Sequence, residues 1–274
     1  MDVRVTSDPQ AFEQAVFPFL QQDPVLHTII MSNVHERANG TAPAEPEPSY
    51  FVSVHDPDVI GVAMRTPGRG VYLGALPEDL AELIADAYAD VLPELPGVAG
   101  DRPAARRFAE RWVERRGGGL TEMRGTRLHK LIDLTPLEAE GSARLMRADE
   151  VELVAAWGKD GFAEELATGH REWAERRIDD GTMWMWEVGG EAVSMAGYHL
   201  PIFGVCRVGP VYTPPGKRRH GYAGALTSQV SATILADGNQ ACLYTDLANP
   251  TSNKIYYQAG YRPVADFVDV EFSA

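Results

Sequence analysis

Val211-Tyr-Thr-Pro-Pro-Gly-Lys-Arg-Arg-His-Gly-Tyr-Ala-Gly-Ala-Leu226 reads as the end of a strand, a basic turn and the start of a helix. The β-branched and aromatic run Val208-Gly-Pro-Val-Tyr-Thr213 favours a strand. Pro214-Pro215 closes it, because proline has no N–H to give to a ladder. Tyr222, Leu226, Val230 and Ile234 then recur at i, i+4 spacing, the stripe of one buried helix face. Gly221 falls where that helix begins. A helix start exposes unpaired N–H groups and carries partial positive charge, so an anion can settle there. Gly221 would let the anion approach the backbone, and Lys217, Arg218 and Arg219 add charge and donors. From these residues alone the turn is either a phosphate cradle or an ordinary exposed basic loop.

A second segment downstream narrows the choice. Ala241-Cys-Leu-Tyr-Thr-Asp246 reads as a strand, and Asn249-Pro-Thr-Ser-Asn-Lys-Ile-Tyr-Tyr-Gln-Ala-Gly-Tyr261 as a short helix. Asn249 supplies the N-cap, Pro250 the first helical position, and Gly260 the residue just past the end.

Together the two segments resemble the cofactor motifs of the GCN5-related N-acetyltransferases. Arg218-Arg-His-Gly-Tyr-Ala223 resembles that superfamily's R/Q-x-x-G-x-G/A loop, which holds the pyrophosphate of acetyl-coenzyme A. Asn249, Tyr256 and Gly260-Tyr261 resemble its second motif, and the resemblance covers roughly residues 142–274. It implies that acetyl-CoA serves as acyl donor. Its contacts would be Val211, Tyr212 and Thr213 on the strand, then Arg218, Arg219, His220, Gly221, Tyr222, Ala223 and Gly224, and finally Asn249 and Asn253. It also implies that Tyr256 protonates the departing thiolate. Tyr257, about 100° further round the helix, is expected at the surface or in packing.

The family draws its general base from varied positions, so Glu164, Glu165, His170 and His199 all stay open. Glu164 and Glu165 lie near the early helix connection, where carboxylates could hold a cationic amine. Trp184, Trp186 and Tyr198 could wall an acceptor pocket, but aromatics alternating in strands are more often core.

The first half repeats the order of elements. A strand near Val3, helices bearing Phe12, Val16, Phe19 and Leu20 and then reaching about His35, and three strands at 50–54, 59–64 and 71–75 come first. A helix over about 77–92, Gly97-Val-Ala-Gly100, a helix with Phe108 and Trp112, and a strand over 126–134 follow. The second half shows Ala143–Met146, helices over 151–166 and 172–178, and strands 182–188 and 192–198 joined by the hairpin signal Gly189-Gly190. This predicts two tandem copies of one α+β fold, each a mixed, mostly antiparallel twisted sheet flanked by helices. The expected division is 1–134, a linker at 135–141, and 142–274. Where the second copy has its basic loop, the first has Leu73-Gly-Ala-Leu-Pro-Glu-Asp-Leu80. Glu78 and Asp79 would repel a pyrophosphate, so the first copy is expected to lack a cofactor site. Residues 38–49, rich in Pro and Gly, read as a surface loop.

Composition limits the partners. The chain has 274 residues, 45% hydrophobic, with a net charge of −14. That charge opposes broad nucleic-acid binding and favours a small cationic acceptor. No run approaches the ~18 apolar residues that cross a bilayer, so a cytoplasmic protein without membrane or metal partners is expected, monomeric or homodimeric. Cys206 and Cys242 both fall in expected strands and read as buried free thiols. The reading that follows is an acetyl-CoA-dependent N-acetyltransferase acting on the amine of a small molecule or peptide. The alternatives are a non-catalytic acyl-CoA sensor and, since the peptidoglycan-building aminoacyltransferases also pair two such folds, a transferase using charged tRNA.

Overall fold

A computed structural model describes residues 1–162 and 169–274. The chain divides into two compact units: residues 1–128, 245–248 and 263–274, and residues 129–244 and 249–262. These units are not the contiguous halves expected from the sequence. The last residues of the chain lie with the first unit, and 129–141 lie with the second.

The first unit contains β1 (Asp2–Thr6), α1 (Pro9–Leu20), α2 (Thr28–Ala38), β2 (Tyr50–His55), β3 (Val59–Arg65) and β4 (Val71–Gly74). It continues with α3 (Ala81–Val91), β5 (Gly97–Asp101), α4 (Arg102–Arg116) and most of β6 (Gly119–Leu131). β1 to β4 form an antiparallel meander, and β4 then pairs in parallel with β5. The strand that β5 accepts on its other side comes from the far end of the sequence. It is β12 (Tyr261–Ser273), paired antiparallel from Phe267↔Asp101 to Glu271↔Gly97. Val268 and Val270 of β12 lie in the core beneath α3 and α4, beside Ile84, Tyr88, Phe108 and Trp112. On the opposite face, Phe12 of α1 stacks on Phe51 at 4.9 Å. The alternation of Phe51 and Val52 to opposite faces is the period-two consequence of a strand covered on both sides.

The second unit contains β7 (Ser142–Leu145), α5 (Val151–Phe162), α6 (His170–Asp179), β8 (Met183–Val188), β9 (Glu191–Tyr198) and β10 (Val205–Tyr212). α7 (Tyr222–Ala236), β11 (Gln240–Asp246) and α8 (Pro250–Gln258) complete it. Its strand order is β11-β10-β9-β8-β7, antiparallel except for the parallel β10–β11 pair. Gly189 and Gly190, both at positive φ, turn the β8–β9 hairpin as a glycine pair should. One face buries Trp186, Ala196, Val208, Leu226, Val230 and Ile234 under α7. The other buries Val154, Trp173, Met185, Met195 and Tyr212 under α5 and α6. Cys206 and Cys242 are buried free thiols. Among the described residues no helix is long and apolar enough to cross a membrane.

Candidate active site

The site begins where β10 leaves its neighbour. β10 pairs with β11 only from Val205↔Gln240 to Val208↔Leu243. Its pairing with β9 slips at Gly209-Pro210 and resumes at Val211↔Ala196 and Tyr212↔Met195. Proline cannot donate to a ladder, so the bulge falls where the sequence removes a donor. Beyond Val208 the edge of β10 that faced β11 is therefore unpaired. In the first unit β4 stays paired with β5 through Gly74↔Gly100. A side chain at Gly100 would meet Leu73 Cβ at 2.8 Å, so these strands are in close contact. Leu76 and Leu80, at the start of the first unit's α3 region, fill the space above Gly61.

From Tyr212 the chain passes through Thr213 into a 3₁₀ turn at Pro215–Lys217 and on to α7. Thr213 is fixed twice. Its hydroxyl shares a 2.8 Å hydrogen bond with buried Ser194, and its carbonyl accepts 2.9 Å from Arg218 Nε. Arg218 thus folds back to brace the turn. Lys217 pairs with Glu191 at 2.7 Å, and the His220 ring stacks on Tyr222 at 5.3 Å. Arg219 and Gly221 both take left-handed backbone conformations, at φ 67° and 84°. Gly221 is the N-cap of α7 and carries no capping side chain, so the first N–H groups of that helix, from Tyr222, Ala223 and Gly224 onward, are left for another acceptor.

Part of the expected linker packs against the start of α7. A Cβ added to Gly221 would stand 3.5 Å from Ala139 Cβ and from the Glu138 carbonyl, and one on Gly224 would stand 3.0 Å from Leu137 and 3.3 Å from Ile255. Leu137 N–H donates to Ser228 at 3.1 Å. Residues 137–139 therefore lie against the start of α7, and α8 meets it through Ile255. The sequence reads 135–141 only as a linker, and it has no periodicity to reveal this packing.

α8 forms as its caps dictate. Asn249 accepts from Ser252 N–H at 3.1 Å, and Pro250 occupies the first turn. Gly260 ends the helix at φ 102°, where a Cβ would strike the Asp133 carbonyl. Asn253 donates to the Asn249 carbonyl at 2.8 Å. Tyr256 turns inward against Tyr261, at 6.1 Å and edge-on. Burial pushes its phenol up to about 12, and the Thr227 hydroxyl works in the opposite direction. Thr227 is itself fully buried on α7, and among the described residues its hydroxyl has no partner within hydrogen-bond distance. It was invisible in the sequence because it follows Leu226 in an apolar stripe. Tyr257 is exposed, with Arg262 over its ring at 4.0 Å.

The candidate bases fall elsewhere. Glu164 and Glu165 lie outside the described residues. His199 sits opposite Arg207, its N–H on the Arg207 carbonyl at 2.9 Å, on the far side of the bulge from Val211. Burial, with Arg207 and Arg177 nearby, holds His199 well below the usual histidine range. His170 opens α6, its Nε2 buried and, among the described residues, without a hydrogen-bond partner. Trp184, Trp186 and Tyr198 pack in the core beneath α7, and Trp186 donates to the Glu140 carbonyl at 2.7 Å. Tyr212 contributes backbone to the open strand edge, while its side chain lies on the opposite face, under α5.

Comparison with known proteins agrees with this architecture. The family model described as FR47-like protein matches residues 191–268. No curated protein matches the chain. A GNAT-family acetyltransferase from Colwellia psychrerythraea is 12% identical, with 100% of both chains covered and a TM-score of 0.64. A GCN5-related N-acetyltransferase from Sphaerobacter thermophilus is 15% identical over 99% of this chain and 95% of its own, with a TM-score of 0.62. A tandem GNAT protein from the clavulanic acid biosynthesis pathway is 9% identical over 98% of each chain, with a TM-score of 0.54. The chain has the fold of the GCN5-related N-acetyltransferases in a tandem arrangement.

Proposed function

We propose that the second unit transfers an acetyl group from acetyl-CoA to an amine. The observation that carries this reading is the conjunction of two vacant sets of donors on one stretch of chain. The edge of β10 is unpaired after Val208, and α7, which starts eleven residues after Val211, has no capping side chain. The first suits the amides of a pantetheine arm, whose groups can continue a ladder as another strand would. The second suits a pyrophosphate, drawn to helix N–H groups and to Arg218 and Arg219.

On this reading Val211 and Thr213 pair with the cofactor through backbone groups, and Gly221 leaves room for phosphate oxygen beside Tyr222, Ala223 and Gly224. Asn249 and Asn253 fix α8 so that Tyr256 faces the thioester sulfur. The amine nitrogen attacks the carbonyl carbon, the carbon–sulfur bond breaks, and the thiolate takes the phenolic proton of Tyr256. The proton lost by the amine returns through solvent to the phenolate. A phenol near 12 stays protonated at neutral pH and serves as donor only. The first unit, with β4 and β5 still paired and acids at Glu78 and Asp79, is proposed to bind no cofactor. The protein is proposed to work in the cytoplasm.

Release of free CoA thiol in the presence of an amine panel tests the reading. Tyr256→Phe is expected to lower turnover roughly 10²- to 10⁴-fold while acetyl-CoA still binds. Binding of acetyl-CoA without turnover on any amine would instead identify a sensor.

A further inference from the structure

Asp160, near the C-terminal end of α5, has a built contact with the open strand. The Tyr212 phenol donates to Asp160 Oδ2. Trp157, one turn earlier on α5, lies 6.0 Å from the Tyr212 ring. Gly161 closes over the same ring, where any Cβ would stand 2.7 Å from Tyr212 Cδ2. Three neighbouring positions of α5 thus enclose one buried tyrosine, and glycine is the residue that allows the approach.

The carboxylate so fixed belongs to an exposed residue, and among the described residues the Tyr212 phenol is the donor that reaches it. Tyr212 itself is 7% exposed, and burial raises its phenol above the usual range, with Asp160 adding to that and Arg218 opposing it. A carboxylate has room for several donors, and one phenol leaves the remainder free. The matching ligand is a cation.

Which cation follows from the direction of the side chain. Tyr212 lies on the opposite face of β10 from Val211, so Asp160 stands a full tyrosine side chain away from the strand backbone. A reacting nitrogen must come within about 3–3.5 Å of the thioester carbon, too close to that backbone for Asp160 to hold it. A carboxylate also keeps a bound ammonium protonated, which a nucleophile cannot be.

We propose that Asp160, positioned by Tyr212, binds a second cationic group of the acceptor, so that diamines and polyamines are preferred over monoamines. This rests on the acetyl-transfer reading of the same site. It names the acceptor class and a residue that selects it, neither of which the cofactor motifs assign.

Calorimetric titration of putrescine and of butylamine into the full chain saturated with CoA tests it. Putrescine is expected to bind the wild type, and Asp160→Asn to weaken it roughly 10- to 100-fold, as loss of a charge-assisted contact does. Asparagine can still accept from Tyr212, so the variant removes charge and leaves the brace. Asp160→Glu should restore part of the affinity, and butylamine should bind weakly and equally to all three proteins. Equal putrescine affinity in wild type and Asp160→Asn would overturn the proposal, as would absence of putrescine binding to the wild type. Should CoA itself fail to bind, the acetyl-transfer reading falls, and the same putrescine titration on the CoA-free chain still decides the role of Asp160.

Discussion

At the scale of single residues, the account depends on Gly221, Gly260 and Tyr256. Burial holds the Tyr256 phenol above the usual phenol range, and Tyr261 and Tyr88 are raised in the same sense, each chiefly by burial. Below pH about 10 these phenols are neutral in both folded and unfolded chains. As pH rises further the unfolded chain ionises first, so stability falls from about pH 10 toward and beyond 12. Spectrophotometric titration of tyrosinate should show Tyr88, Tyr256 and Tyr261 ionising only above the ordinary phenol range, with unfolding. Complete titration before unfolding would contradict the burial of Tyr256. Tyr256 was singled out by its resemblance to the family's second motif, and the fold turns it inward against Tyr261. Thr227 and Ser194 were not legible in sequence, since a hydroxyl inside an apolar stripe or an alternating strand looks the same whether it braces a site or fills space.

At the scale of elements, the strand–turn–helix unit and α8 were readable from end to end, because proline, glycine and asparagine act locally. α7, β11 and α8 lie within a residue or two of their expected limits, and β10 begins three residues before Val208. Local signals do not report which strand lies beside which, so the parting of β10 from β11, and its absence between β4 and β5, emerged only from pairing. Nor did residues 137–139 announce their place against α7. Gly260 tests the capping argument most sharply: an added Cβ would overlap the Asp133 carbonyl, and φ 102° is costly for any other residue. Gly260→Ala should destabilise the chain by on the order of 3 kcal/mol, read as a lowered denaturation midpoint. A change below about 0.5 kcal/mol would place that backbone differently.

At the scale of the whole molecule, the order of elements revealed a tandem fold, and composition accommodated it. Missing was the destination of the final strand. The alternation of Val268, Val270 and Phe272 is readable as a strand, but nothing local says that it completes the core of the first unit. Removal of residues 263–274 should therefore expose the first unit to proteolysis, with early cleavage within residues 1–128. Early cleavage confined to 142–244 would contradict the division. Because β10 parts from β11 beside the start of α7 while β4 stays paired with β5, one acetyl-CoA per chain is expected. The most direct test is calorimetric titration of acetyl-CoA into the wild type, Gly221→Ala and Gly221→Glu. Alanine carries the backbone strain alone, and glutamate adds a negative charge at the start of α7. The account predicts one site per chain in the wild type, modest weakening with alanine and loss of binding with glutamate. No binding to the wild type, or undiminished binding to Gly221→Glu, would contradict it.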